Sequence, residues 1–177
     1  MSRFDDYYDG EDFPNQAALW YANVQRALGG KRGKKALAEL REALLALPEK
    51  RLIAGALCTV GGVERRAADH GKWYQEDFSA KIESDGEGVC AIGAYLWFKK
   101  VKAGADPRTA FDDLPTLLDV DGDSDYQTAE HGRAAGLTFT LAQTLAYRND
   151  EAFEGMTPEQ RYDAFMGWLD GQLPGTA

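Results

Sequence analysis

The densest group of potential ligating side chains is DVDGDSDYQTAE, Asp119–Glu130. A hard divalent cation takes roughly six to eight oxygen ligands from a turning backbone. Counted from Asp119 as position one, Asp121, Asp123 and Asp125 fall at three, five and seven, and Glu130 at twelve. That spacing would let alternate carboxylates converge on one ion, closed by a glutamate binding through both oxygens. The same residues also suit the start of a helix, where Ser124 or Asp125 caps and the dipole favours acids.

The spacing resembles the calcium loop of an EF-hand, and the resemblance covers this loop alone. It implies calcium as a ligand of Asp119, Asp121, Asp123, Asp125 and Glu130. The sequence departs from that pattern in several places. Ser124 holds the sixth position, where glycine allows the sharp turn, and Gly122 stands two places early. Tyr126 replaces the aliphatic eighth residue, and Pro115–Leu118 leaves little room for an entering helix. An acidic helix start is the preferred reading, with calcium binding as an alternative function.

A second motif is GGKRGKK, Gly29–Lys35. A phosphate-binding loop requires G-x-x-x-x-G-K followed by Ser or Thr, after a strand. Gly33-Lys34 is followed by Lys35, Leu28 occupies the first glycine's place, and the preceding segment reads as helix. The motif is therefore excluded. Lys31, Arg32, Lys34 and Lys35 remain a cationic patch suited to an acidic surface.

Nucleophilic chemistry needs a Cys or Ser beside a base. Cys58 and Cys90 sit among apolar residues, and His70 and His131 stand at ligand spacing to neither. Adjacent Glu130 and His131 point to different sides of a helix. The sequence thus points away from an enzyme, and it requires no cofactor.

The elements that must carry these residues are helical. Gly88–Gly104, GVCAIGAYLWFKKVKAG, is the most apolar run and predicts a central buried helix. Ser84 or Asp85 would cap it, Gly104 would stop it, and Lys99, Lys100 and Lys102 suit its negative end. The lysines leave it short of the ~20 apolar residues that cross a bilayer. Val89, Ile92, Leu96 and Trp97 are its expected buried residues, with Cys90 structural.

Around it, a first helix from Pro14–Asn15 to Gly29–Gly30 carries Ala17, Trp20, Tyr21, Val24 and Leu28 inward. A second, from near Lys34 to Pro48, has a Leu37, Leu40, Leu44 and Leu47 seam. A third is expected over Glu49–Val60, closed by Gly61–Gly62. Helical spacing continues through Glu64–His70 and Trp73–Ile82, broken at Gly71. Asp106-Pro107 starts a short helix ending at Pro115. A long helix over about Tyr126–Arg148 would bury Ala134, Leu137, Leu141 and Leu145. A capping box, Thr157 with Gln160, opens the last helix, whose stripe is Tyr162, Phe165, Leu169 and Leu173.

With no run alternating at period two, the expectation is an all-α fold. It is a compact bundle of seven or eight helices forming one domain over residues 15–173. Residues 1–14 read as a mobile acidic–aromatic tail.

The chain has 177 residues and a formal net charge of −9, which opposes general nucleic-acid binding. Charge is segregated. Residues 31–66 hold nine Lys or Arg against four Glu, and residues 106–130 hold eight acids against Arg108. Two cysteines form no disulfide framework and no signal-like start precedes them, so a reducing cytoplasm is expected.

KRGKKALAELREALLALPEKRLI (Lys31–Ile53) with GVCAIGAYL (Gly88–Leu96) resembles a pattern in small phage and bacterial proteins to which no activity is attached. The resemblance implies a small cytoplasmic accessory protein of the phage-encoded kind, and no site residues. The expected function is non-enzymatic: a protein partner bound through charged surfaces. The alternatives are the calcium protein above and a nucleic-acid-facing protein, contacting phosphate through Lys31–Lys35 or mimicking DNA with its acids.

Overall fold

A computed structural model of the chain describes residues 14–54, 58–60, 63–65, 88–107, 110 and 131–173. The molecule is mostly helical, as the apolar spacing requires. Helix α1 spans Pro14–Gly29, α2 Lys31–Ala46, α3 Ala91–Lys102, α4 Phe139–Asp150 and α5 Pro158–Gln172. Residues 131–135 form a further helical turn before α4.

Helix α3 is the packing centre. Every residue from Ala91 to Trp97 is buried, and Val89, Ile92, Leu96 and Trp97 are among the core residues. The α2 seam meets it: Leu37, Leu40 and Leu44 are at most 1% exposed, with Leu47 beside them. The α5 stripe of Tyr162, Phe165, Leu169 and Leu173 closes the same core cluster. Phe165 packs edge-on against both Phe153 and Trp168. The α5 capping box forms as its sequence requires, Gln160 N–H donating to Thr157 and Thr157 N–H to Gln160. Among the described residues, no helix is long and apolar enough to cross a membrane.

Four expectations are corrected. The helix expected over Glu49–Val60 does not form. Leu52 and Ile53 are buried, but their N–H groups donate to Pro158 O and Val89 O, 3.0 and 3.1 Å away. Partners from distant segments replace the i−4 carbonyls of a helix.

Second, three short strands accompany the helices: β1, Cys58–Val60; β2, Val63–Arg65; and β3, Gly88–Val89. They form an antiparallel sheet in the order β2-β1-β3, with Val60 opposite Val63 and Cys58 opposite Val89. Strands of two or three residues are too short to show a period of two. Their one legible signal is Gly61-Gly62 between two valines, a dipeptide favoured between paired strands. Because β3 takes Gly88 and Val89, α3 starts three residues later than expected. Cys90, not Ser84 or Asp85, is its N-cap.

Third, the long helix is interrupted. Gly136 adopts φ +74°, a left-handed conformation that ends helices at little cost in glycine. Thr138 then caps α4 by accepting from Leu141 N–H at 3.3 Å. Leu141 and Leu145 are buried, but the break shifts the phase before them, so Ala135 is buried and Ala134 exposed. Fourth, Tyr21 is 67% exposed, since the inward stripe of α1 narrows to Trp20, Val24, Ala27 and Leu28.

Candidate functional site

The basic patch lies at the start of α2. Its position is set by an unusually close approach: a Cβ on Gly33 would meet the Ala27 carbonyl oxygen at 1.7 Å. Only glycine lets the end of α1 lie against the first turn of α2. The glycine of GGKRGKK thus serves helix packing. Lys34 turns inward, its ammonium donating to the Gln172 carbonyl at the end of α5. Lys31 and Arg32 are exposed. The Lys35 side chain is 77% exposed and stands 3.8 Å from Glu39, one turn on.

The patch works against its own helix. The first turn of α2 contains no acid, and its N-cap, Gly30, makes no side-chain cap bond. Cations there meet the positive end of the helix dipole, a cost of about 0.3–1 kcal/mol each in exposed settings. Lys34 recovers part of this at the carbonyl end of α5, where cations are favoured. Lys31 and Arg32 gain no such compensation from the dipole, whereas Lys35 stands past the first turn beside Glu39.

Beside the patch, α2 and α3 enclose a groove of about 190 Å³ lined by Glu39, Tyr95, Phe98, Lys99 and Lys102. Tyr95 donates to Glu39 Oε2 at 2.6 Å. Burial, then the Glu39 carboxylate, push this phenol well above the ordinary tyrosine range. It is a hydrogen-bond donor at neutral pH and supplies neither a base nor a nucleophile there. Lys99 donates to Ala135 O at 2.7 Å and lies over the Tyr95 ring. Lys102 donates to Glu42 at 2.8 Å and lies over Phe98. The groove thus joins the Tyr95–Glu39 bond to two anchored lysines lying over the Tyr95 and Phe98 rings.

The remaining sequence candidates are not brought together. Asp119, Asp121, Asp123, Asp125 and Glu130 lie outside the described residues. Among the described residues, no group of three or more His, Cys, Asp or Glu could hold a metal. Cys90 is half-buried at the α3 N-cap, its thiol accepting from Gly93 N–H at 3.4 Å. His131 is nearly buried in the turn preceding α4.

Sequence reasoning missed a buried polar cluster. Arg161, 2% exposed, donates to Leu52 O at 2.8 Å and Met156 O at 3.2 Å. Asn149, 1% exposed, donates to Ile53 O at 2.7 Å and accepts from Ala91 N–H at 3.1 Å. Together they hold the Leu52–Ile53 segment and the start of α3. The only sequence signal was Arg161 beside the apolar α5 stripe, which reads equally well as a solvated position. No family model, curated protein or solved structure matches the chain.

Proposed function

We propose that the protein is a non-enzymatic cytoplasmic accessory protein, of the phage-encoded kind, that binds an acidic protein surface through Lys31, Arg32 and Lys35. The observation that carries this reading is the placement of exposed Lys31 and Arg32 in the first turn of α2, against its dipole, with exposed Lys35 one turn on. Lys31 and Arg32 weaken the helix they stand on, so their use is sought outside it. A net charge of −9 repels polyanions as a whole and favours a local contact by this patch. The scaffold that we propose is one domain over residues 15–173, a bundle of seven or eight helices around α3. The further helices would come from spacings such as Trp73, Phe78 and Ile82.

The test is affinity capture from host-cell lysate with the native chain beside the K31E/R32E/K35E variant. A specific protein retained by the native chain and lost by the variant is expected, with retention falling as salt rises. Equal retention by both, or no specific protein, overturns the reading.

A further inference from the structure

The groove between α2 and α3 holds about 190 Å³, less than the roughly 300–1,000 Å³ of sites that enclose a small molecule. It has room for one side chain of a partner, and its chemistry selects which. Lys99 and Lys102 stand three residues apart on α3, so both ammonium groups line the same groove. Each carries three N–H donors. Among the described residues each has one hydrogen-bond acceptor, Ala135 O for Lys99 and Glu42 for Lys102. Glu39, the carboxylate of the lining, is already engaged: it accepts from Tyr95 at 2.6 Å and faces Lys35 at 3.8 Å. Glu42 and Lys102 are both exposed, so an incoming carboxylate can take Glu42's place at little cost. Phe98, beneath Lys102, offers an apolar surface to the methylene stem behind that carboxylate.

The groove is continuous with the basic patch. Lys35 meets Glu39, Glu39 holds Tyr95, and Tyr95 lies under Lys99. Glu42, which marks the level of Lys102, is seven residues beyond Lys35 on α2, about 10.5 Å along the helix. An extended segment covers about 10 Å in three residues. Carboxylates at i and i+3 would therefore meet Lys35 and the groove together.

We propose that the groove takes a glutamate side chain from an acidic segment of the partner, its carboxylate on Lys99 and Lys102 and its stem on Phe98. This rests on the proposed function and adds the course of the bound segment, from the start of α2 to the end of α3.

The probe is a heptaglutamate peptide in about 0.1 M salt, where charges beyond about 10 Å are screened. In nuclear magnetic resonance spectra of the native chain, the peptide is expected to shift the Phe98 ring signals. Lys102→Gln should weaken binding about fivefold, the top of the range for an exposed ion pair. Lys50→Gln removes the same charge beyond the far end of α2 and should change affinity less than about twofold. An unmoved Phe98 ring, or equal losses in the two variants, overturns the proposal. Acetate at the same carboxylate concentration should leave Phe98 unmoved, and an equal shift would make any free carboxylate an occupant and overturn the proposal. Carbodiimide should join Lys99 or Lys102 to the peptide. Links to a carboxylate of the protein itself other than Glu42, in place of the peptide, overturn the proposal too. A protein captured from lysate that leaves Phe98 unmoved sinks the groove assignment alone. No captured protein, with Phe98 still shifted by heptaglutamate, sinks the proposed function and leaves the groove a site for acidic peptides.

Discussion

The Arg161–Asn149 cluster and the α2–α3 groove are both built from charged or amide side chains, yet they differ in what surrounds them. In the cluster, the partners are backbone carbonyls and N–H groups of buried segments, and the side chains are 1–2% exposed. At the groove's edge, Lys102 and its partner Glu42, which lies outside the lining, are 57% and 60% exposed, and water can replace either partner. An unmet buried polar group costs about 1–3 kcal/mol, more if charged. An exposed ion pair contributes about 0–1 kcal/mol. Polarity therefore organises the fold in one region and leaves it adjustable in the other.

The sharpest break in that contrast is Arg161→Met. It keeps an unbranched apolar stem and leaves the Leu52 carbonyl without its charged donor. A loss of about 2–3 kcal/mol is expected in urea unfolding, and a change under about 0.5 kcal/mol would mean the cluster is no tighter than the surface. Tyr95→Phe is intermediate. It removes the donor to Glu39 and should cost about 1 kcal/mol at neutral pH. Its pH dependence is also signed. The raised Tyr95 pKa makes the native state hold its proton more tightly than the unfolded chain. That contribution is fully present below the ordinary tyrosine pKa of about 10 and is lost as pH rises above it. Alkaline unfolding should thus be less steep in the Phe variant, and parallel profiles would remove the groove's buried end from the argument. Lys102→Ala is the smallest, about 0.5 kcal/mol or less and vanishing in high salt. A thermal melt at two salt concentrations measures it.

Legibility in the sequence follows the same division. The core helices were readable because their apolar residues recur at helical spacing over several turns, as in Leu37–Leu47 and Tyr162–Leu173. The capping box at Thr157 was readable because its two bonds are local. The segment after Pro48 was not, since its backbone partners, Pro158 and Val89, are remote in sequence. Gly136 and Thr138 were a legible stop and start, overridden by apolar spacing that happened to continue across them. In the candidate site, the cationic composition of Lys31–Lys35 was plain. The inward turn of Lys34 depends on where α5 ends, and no local pattern encodes that. The Tyr95–Glu39 bond likewise requires knowing that α2 and α3 are neighbours.

The Arg161 contact has a consequence for how the chain is made. Its bond to Leu52 spans 109 residues. A ribosome adds about 5–20 residues per second, so the Leu52 carbonyl waits several seconds or longer for its donor to be synthesised. Vectorial synthesis leaves α1 and α2 complete while the segment after them is still open. Closure of this contact waits until α5 has been synthesised.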